Sequence, residues 1–260
     1  MSPGLERIGD GRRVFVKRGS DLRAVRAEVA GLAWLAVPGG PPVVPVLEIH
    51  PEHLVLPYLD EVGADAEAAH RFGRSLAYLH AAGAPAFGAP PPGGPADATI
   101  GNAPMINVPA PEWPSWYVLD RVLPYLRSAR DRGTVDIADV AAVELACARI
   151  DELAGPSQPP ARLHGDLWSG NVLWTADGAT LIDPAAHGGH RETDLAMLAL
   201  FGCPHLDTVL SGYTEVSPLA DGWRARVPLH QLFPLLVHAV LFGGRYGRQA
   251  GDAARALLHS

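Results

Sequence analysis

The spacing of apolar residues along this chain of 260 residues changes character near residue 60. Before that point short alternating runs dominate. LERI (5 to 8) and RVFVK (13 to 17) surround Gly9-Asp10-Gly11-Arg12, whose Asp-Gly step suits the positive φ of a hairpin, so two strands around a tight turn are predicted. Val25, Val29 and Leu32 then repeat at i, i+4 and i+7, predicting a helix capped by Ser20 or Asp21 and stopped by Pro38-Gly39-Gly40. VVPVLEIH and HLVLPYL read as two further strands. Together these pieces predict a small, mostly β lobe over residues 1–60.

From residue 61 the period becomes helical. Ala69, Phe72, Leu76 and Leu79 form one apolar stripe that ends near Gly83, and a loop rich in proline and glycine follows from 83 to 111. Trp116, Leu119, Leu123 and Leu126 predict the next helix. Asp136 is placed to cap another that runs to about 154, where GPSQPP breaks it. NVLW and TLIDP are short strand-like runs around TADG, and helical spacing resumes to the end. The expected class is α+β: the β lobe over 1–60 and a larger helical lobe over 61–260.

Composition narrows the partners. With 48% hydrophobic residues the chain can bury a core, and a formal net charge of −7 supplies no basic field for nucleic acid or anionic lipid, which leaves a small molecule as the expected partner. Cys147 and Cys203 are far apart in apolar stretches, so neither a disulfide framework nor a CxxC clip is expected. The apolar run at 234 to 244 is interrupted by His238 and is shorter than the ~20 residues a bilayer span needs. The first residues, MSPGLERIGDG, show no apolar signal core. These features predict a cytoplasmic protein without a membrane partner.

The stretch HGDLWSGNVLWTADGATLIDP, residues 164 to 184, carries the chemistry. Phosphoryl transfer to a hydroxyl needs a carboxylate to accept the proton and oxygen ligands for Mg²⁺. Asp166 precedes Asn171 by five residues, the interval of the kinase loop H-R-D-x-x-x-x-N, and Asp183 follows a predicted hairpin where kinases place the metal-binding aspartate of D-F-G. Lys17 is the sole lysine beside twenty arginines, at the end of a predicted strand, and Glu28 lies mid-way along the next predicted helix. Kinases place a phosphate-binding lysine and its glutamate partner there. His164 is read as a structural histidine. A rival set of transition-metal ligands, His164, Asp166, Asp183, His187 and His190, leaves Asn171 and Lys17 without roles.

The chain resembles the fructosamine kinases, a branch of the aminoglycoside phosphotransferase-like kinases. The resemblance runs through FVK at 15 to 17, E-x-x-G-L at 28 to 32, IGN at 100 to 102, W-x-x-x-x-R at 116 to 121, HGDLWSGN at 164 to 171 and GHRETDLAM at 189 to 197. HGDLW, with Trp168 two residues after Asp166, is the most discriminating. The resemblance implies a protein-kinase-like bilobal fold and ATP- and Mg²⁺-dependent phosphorylation of the 3-hydroxyl of ketosamines, including glycated lysines. The products decompose spontaneously, so such enzymes act in deglycation. It further implies Asp166 as base, Asn171 and Asp183 at the metal, Lys17 and Glu28 at the nucleotide phosphates, and Tyr58 and Leu59 at the adenine. Pro57 keeps its carbonyl but has no N–H, so Leu59 is the expected amide donor. Trp168 is expected to stack on the substrate, with Trp116 a further candidate wall of the same cleft. Asp194 is expected to cap the helix after GHRE. Met105 stands where the family usually shows glutamine, an expected influence on substrate choice. The strand and glycine turn that kinases place ahead of the lysine hairpin are expected to be missing. Two alternatives follow: a phosphotransferase of aminoglycosides or other amino sugars, and a nucleotide-binding pseudokinase.

Overall fold

A computed structural model describes residues 4–7, 11–18 and 22–259. Strands β1 (Gly4–Arg7) and β2 (Arg13–Arg18) pair antiparallel, Leu5 opposite Phe15, as the alternating pattern predicts. Most of the turn between them, and the proposed caps Ser20 and Asp21, lie outside the described residues. Helix α1 (Leu22–Leu35) follows, then β3 (Glu48–Ile49) and β4 (His53–Pro57). Among the described residues the sheet has four antiparallel strands in the order β1-β2-β4-β3. The segment Val43–Val46, expected as strand, is not one: Pro42 and Pro45 interrupt the ladder, and Val43 forms only an isolated bridge to Leu181 of the helical part. Val25 and Leu32 of α1 pack with Val44, Leu54 and Leu56 to close a small core.

Helix α2 (Ala66–Ala81) opens at Asp65, whose carboxylate accepts the Ala68 N–H at 2.7 Å. It buries the predicted stripe of Ala69, Phe72, Leu76 and Leu79. The segment read as one long loop contains a hairpin of β5 (Asp97–Ile100) and β6 (Ala103–Ile106), turning at Gly101 with φ +54°. Four alternating residues on each side of a glycine turn were too short a pattern to stand out among the prolines.

The next predicted helix is broken into three parts: α3 (Trp113–Trp116), a π-helical segment (Tyr117–Val122) and α4 (Leu123–Asp131). The wide turns shift the buried stripe, so Leu119, expected inside, is 61% exposed, while Arg121 is buried. Helices α5 (Ile137–Ala148) and α6 (Ile150–Leu153) follow. Asp136 occupies the N-cap position of α5, yet its side chain makes no capping hydrogen bond.

Strand β7 (Ala161–Leu163) leads into the stretch that begins at His164, and β8 (Val172–Thr175) with β9 (Gly178–Leu181) form the hairpin expected around TADG. Strand β10 (His187–Gly189) returns antiparallel to β7. Helices α7 (Glu192–Leu200), α8 (Leu206–Val216), α9 (Trp223–Phe242) and α10 (Tyr246–Leu258) complete the chain. The apolar run at 234 to 244 lies, as far as Phe242, within α9. At 20 residues α9 is long and apolar enough to cross a membrane by length and composition, but its central residues, Leu229 to Val240, are mostly buried against the neighbouring helices, as in a core helix. Cys147 and Cys203 are buried and unpaired.

Candidate active site

Two hairpin ladders bring the predicted site residues of this stretch together. Val172 pairs with Leu181, so Asn171 and Asp183, twelve residues apart in sequence, emerge side by side from the same end of the β8–β9 hairpin. Pairing of β7 with β10 places the Gly165–Asp166 turn against Ala185. A Cβ at Gly165 would meet the Ala185 carbonyl oxygen at 2.1 Å, and its φ is +81°, so a glycine is required there on both counts. The Asn171 amide donates to the Asp166 carbonyl oxygen at 2.8 Å and to its carboxylate at 3.1 Å. That leaves the Asn171 carbonyl oxygen available to a cation.

The small lobe supplies the fourth and fifth groups. Period two along β2 buries Val14 and Val16 on one face and turns Phe15 and Lys17 to the interlobe cleft. The Lys17 Nζ lies 2.7 Å from the Glu28 carboxylate and 2.9 Å from that of Asp183. Asp183 holds φ +54°, a left-handed conformation uncommon outside glycine. Burial alone would lower the Lys17 value, but Glu28 and Asp183 together raise it above 10.5, so the lysine is charged. Burial pushes Glu28 up and the adjacent ammonium opposes it; the short contact fits charge on both partners.

Asp166 has a carboxyl raised to about 6, first by burial and then by the charges of Asp183 and Asp194, against the hydrogen bond from Asn171. His164 is buried. Its Nε2 donates to the Ile182 carbonyl at 2.9 Å and its Nδ1 accepts from the Asp166 N–H at 3.3 Å, so it holds the loop, the structural role read for it.

Asp194 is not the N-cap it was expected to be. It lies inside α7, 1% exposed, and its two carboxylate oxygens accept the N–H groups of His164 at 2.8 Å and Gly165 at 3.0 Å, with His80 Nε2 at 3.2 Å. Its value is lowered: burial would raise it, but hydrogen bonds from His80 and the His164 backbone prevail. The motif GHRETDLAM contains this residue, but nothing in local spacing reveals that it reaches back thirty residues.

Two cavities of about 380 Å³ each meet at Lys17 and Asp183. The first is an apolar slot between Phe15, Val44 and Leu56 above and Leu173 and Ile182 below, with Pro57, Tyr58 and Leu59 along its edge. The Tyr58 N–H donates to the Arg13 carbonyl at 3.2 Å, and Arg13 covers the Tyr58 ring at 4.5 Å. The second contains Asp166, Asn171, Trp168, Asn102 and His238. Trp168 is 40% exposed and meets Phe201 edge-on.

Trp116 does not wall this cleft. It is 3% exposed, packed on Phe87 and His187 with the Arg121 guanidinium 4.6 Å from its ring, because the helical insert turns it into the core. Met105 is likewise buried, at 1%, and does not line the cleft beside Asp166. The rival metal set is not assembled. Among the described residues the buried group that gathers is His190, Glu192 and His230, and both Glu192 oxygens are held by Arg226 at 3.0 and 2.7 Å. A guanidinium there opposes a cation.

The fructosamine kinase family profile matches residues 5–260. The chain belongs to the fructosamine kinase family. A provisionally named ketoamine kinase of Synechocystis is 36% identical over 208 residues, 79% of this chain. The chain spans about two thirds of the length of such relatives, 68% of the Synechocystis protein and 65% of one from Escherichia coli. A crystal structure provisionally named fructosamine-3-kinase, from Thermobifida fusca, is 48% identical, covers all of this chain and 94% of its own, and superposes with a TM-score of 0.91. The fold extends beyond the family: an aminoglycoside phosphotransferase crystallised with ADP and hygromycin B is 15% identical with a TM-score of 0.62, over 99% of this chain and 93% of its own. The α+β bilobal, protein-kinase-like fold is therefore the architecture of this family member.

Proposed function

We propose that this fructosamine kinase family member transfers the γ-phosphoryl group of ATP to the 3-hydroxyl of a ketosamine, with Asp166 as the general base. The observation that carries the reading is the convergence of Lys17, Glu28, Asp183, Asn171 and Asp166 where the apolar slot meets the Trp168 cleft. The slot suits an adenine ring, with the Leu59 N–H and Pro57 carbonyl as edge partners. Lys17 binds phosphate oxygens and is held extended by Glu28. The donor set at the junction, a carboxylate from Asp183 and the amide oxygen of Asn171, consists of hard oxygens that suit Mg²⁺. When bound there, the ion neutralises charge on the phosphates.

In the transfer, the substrate hydroxyl oxygen forms a bond to the γ-phosphorus while the bond to the β-phosphate bridging oxygen breaks and ADP leaves. Asp166 accepts the hydroxyl proton, and Asn171 keeps its carboxylate turned to the cleft. Trp168 offers an indole face to the apolar side of the sugar. Two unpaired cysteines and dependence on ATP fit a reducing cytoplasm. Mg²⁺-dependent ADP formation is measured with a fructosyl amine and, in parallel, an aminoglycoside. Turnover with the fructosyl amine alone is expected; turnover with the aminoglycoside alone, or with neither, would refute the reading.

A further inference from the structure

Helix α1 carries Glu28 and is seated by both lobes. Val25 and Leu32 pack into the small core with Leu54 and Leu56, whereas Trp34 and Leu35 at its far end belong to the core of the helical lobe with Leu76 and Leu79. Between these ends, Gly31 lets the helix lie directly on the segment that follows Asp183: a Cβ there would lie 3.2 Å from Pro184 Cγ and 3.3 Å from Ala186 Cβ. Glu28 depends on that seating. Its Oε2 meets Lys17, while its Oε1 is buried with no hydrogen-bond donor among the described residues, so the carboxylate is held directly by Lys17 and otherwise by the helix that bears it.

The C-terminal end of α1 is held from outside the helix. The last four carbonyl groups of a helix have no partner within it and carry the negative end of its dipole, and α1 has no basic residue in its last turn to meet them. Arg162 of β7 takes that place. Its Nη1–H donates to the Trp34 carbonyl at 2.6 Å and its Nε–H to the Gly83 carbonyl, just beyond α2, at 3.3 Å. The guanidinium also lies over the Trp34 ring, with Cζ 4.7 Å from the centroid. Trp34 is six residues, about 9 Å, along the helix from Glu28. Arg162 in turn stands four residues before Asp166, on the strand that pairs with β10 through Gly188. One side chain thus ties the helix that bears Glu28 to the strand that leads into the Asp166 loop.

Resting on the reading of Lys17 and Glu28 at the nucleotide phosphates, we infer that Arg162 is a positioning residue for phosphoryl transfer. By capping α1 from the helical lobe it seats Glu28 against Lys17 before nucleotide enters, so the ammonium is aimed at the phosphates without movement of the helix. Among the described residues, none of α1 lines the apolar slot. The phosphate contacts therefore sense the seating of the helix, and the adenine contacts do not.

Affinities for adenosine and for ADP with Mg²⁺, measured by titration calorimetry on the full chain, separate the two. Arg162→Met keeps an apolar stem beside Trp34 and removes the donors; it is expected to weaken ADP about fivefold, the scale of one lost charge-assisted contact, and to leave adenosine within about twofold. Glu28→Gln alone is expected to weaken ADP about tenfold, and in that background Arg162→Met is expected to cost less than about twofold more, because both changes act through Lys17. Gly31→Ala, which leaves Arg162 in place and lifts the helix from Pro184, is expected to reproduce the ADP-selective loss, so the result does not hang on the folding of one variant. Equal loss of adenosine and ADP affinity in Arg162→Met would overturn the inference and leave Arg162 a structural residue. A loss that persists undiminished in the Glu28→Gln background would overturn it too. If Glu28→Gln weakens ADP while Arg162→Met and Gly31→Ala do not, the inference alone fails. If Glu28→Gln itself binds ADP as the wild type does, the reading of the pair at the phosphates fails and takes the inference with it.

Discussion

Replacing Asp194 by asparagine tests how the catalytic loop is held. The wild-type carboxylate accepts two backbone N–H groups, from His164 and Gly165, and the His80 ring N–H, all away from water. An amide of the same shape retains one acceptor oxygen and turns an NH₂ toward a donor. At least one buried N–H is then orphaned, which costs about 1–3 kcal/mol. The same change loosens the loop that positions Asp166 one residue further on, so turnover is expected to fall about tenfold or more even where the protein is folded. Urea unfolding gives the first quantity and steady-state kinetics at saturating substrates the second. The pH dependence supplies a third readout with a definite sign. Because Asp194 is held below its ordinary value of 3.8, its contribution to stability is fully present above that value. It is lost as pH falls through the lower folded value. The difference in stability between wild type and Asp194→Asn is thus expected to be constant above about pH 5 and to shrink below pH 4. A variant with unchanged midpoint and unchanged turnover would refute the clamp, and a difference that grows on acidification would refute its electrostatic origin.

The Lys17→Arg variant keeps the charge but must fit a planar fork where one nitrogen now sits 2.7 and 2.9 Å from two carboxylates, so turnover should fall about 100-fold. Wild-type turnover in that variant would show that a compact ammonium is not needed. With Asp166 raised to about 6, kcat/KM should rise tenfold per pH unit up to about pH 6 and level off above, since only the ionised carboxylate accepts a proton. Asp183→Asn removes a like charge and should move that limb to lower pH in whatever turnover the variant retains; a flat wild-type profile from pH 5 to 7 would contradict the first statement, and an unmoved limb in the variant the second. Gly170→Ala places a Cβ 2.2 Å from the Trp168 ring, so the indole must leave its position and KM for the ketosamine should rise several-fold with KM for ATP unchanged. Equal ketosamine kinetics would remove Trp168 from the sugar site.

The site was more legible in the sequence than the fold around it. Asp166, Asn171 and Asp183 lie within eighteen residues, and their intervals are set by one loop and one hairpin, so spacing alone carries their geometry. Lys17 and Glu28 are distant from them, but a lysine in an arginine-rich chain followed by a glutamate one helix on is itself a local signal. Trp116 shows the limit. Its helical stripe reads correctly until the wide π turns at Tyr117–Val122 rotate the face, and a change of helix type leaves no mark in a pattern of apolar residues. Asp194 fails for a different reason: a carboxylate early in a helix looks like a cap, and its true partners come from packing of α7 against the loop after β7. The two prolines that deny Val43–Val46 a ladder were visible, yet β-branched composition outweighed them. The hairpin at 97 to 106 was obscured by its proline-rich surroundings, and it is this hairpin that brings Thr99 to Asn102 into the cleft beside Asp166.

Phosphorus NMR of the product formed by wild type and by Asp166→Asn tests whether Asp166 deprotonates a ketosamine hydroxyl. Wild type is expected to give one phosphomonoester signal coupled to the C3 proton of the sugar. The asparagine variant, which binds nucleotide with wild-type affinity and unfolds at or above the wild-type urea midpoint because a buried charge has been removed, is expected to give about 10³-fold less. Comparable product from both proteins, or phosphate on a different hydroxyl, would contradict the account.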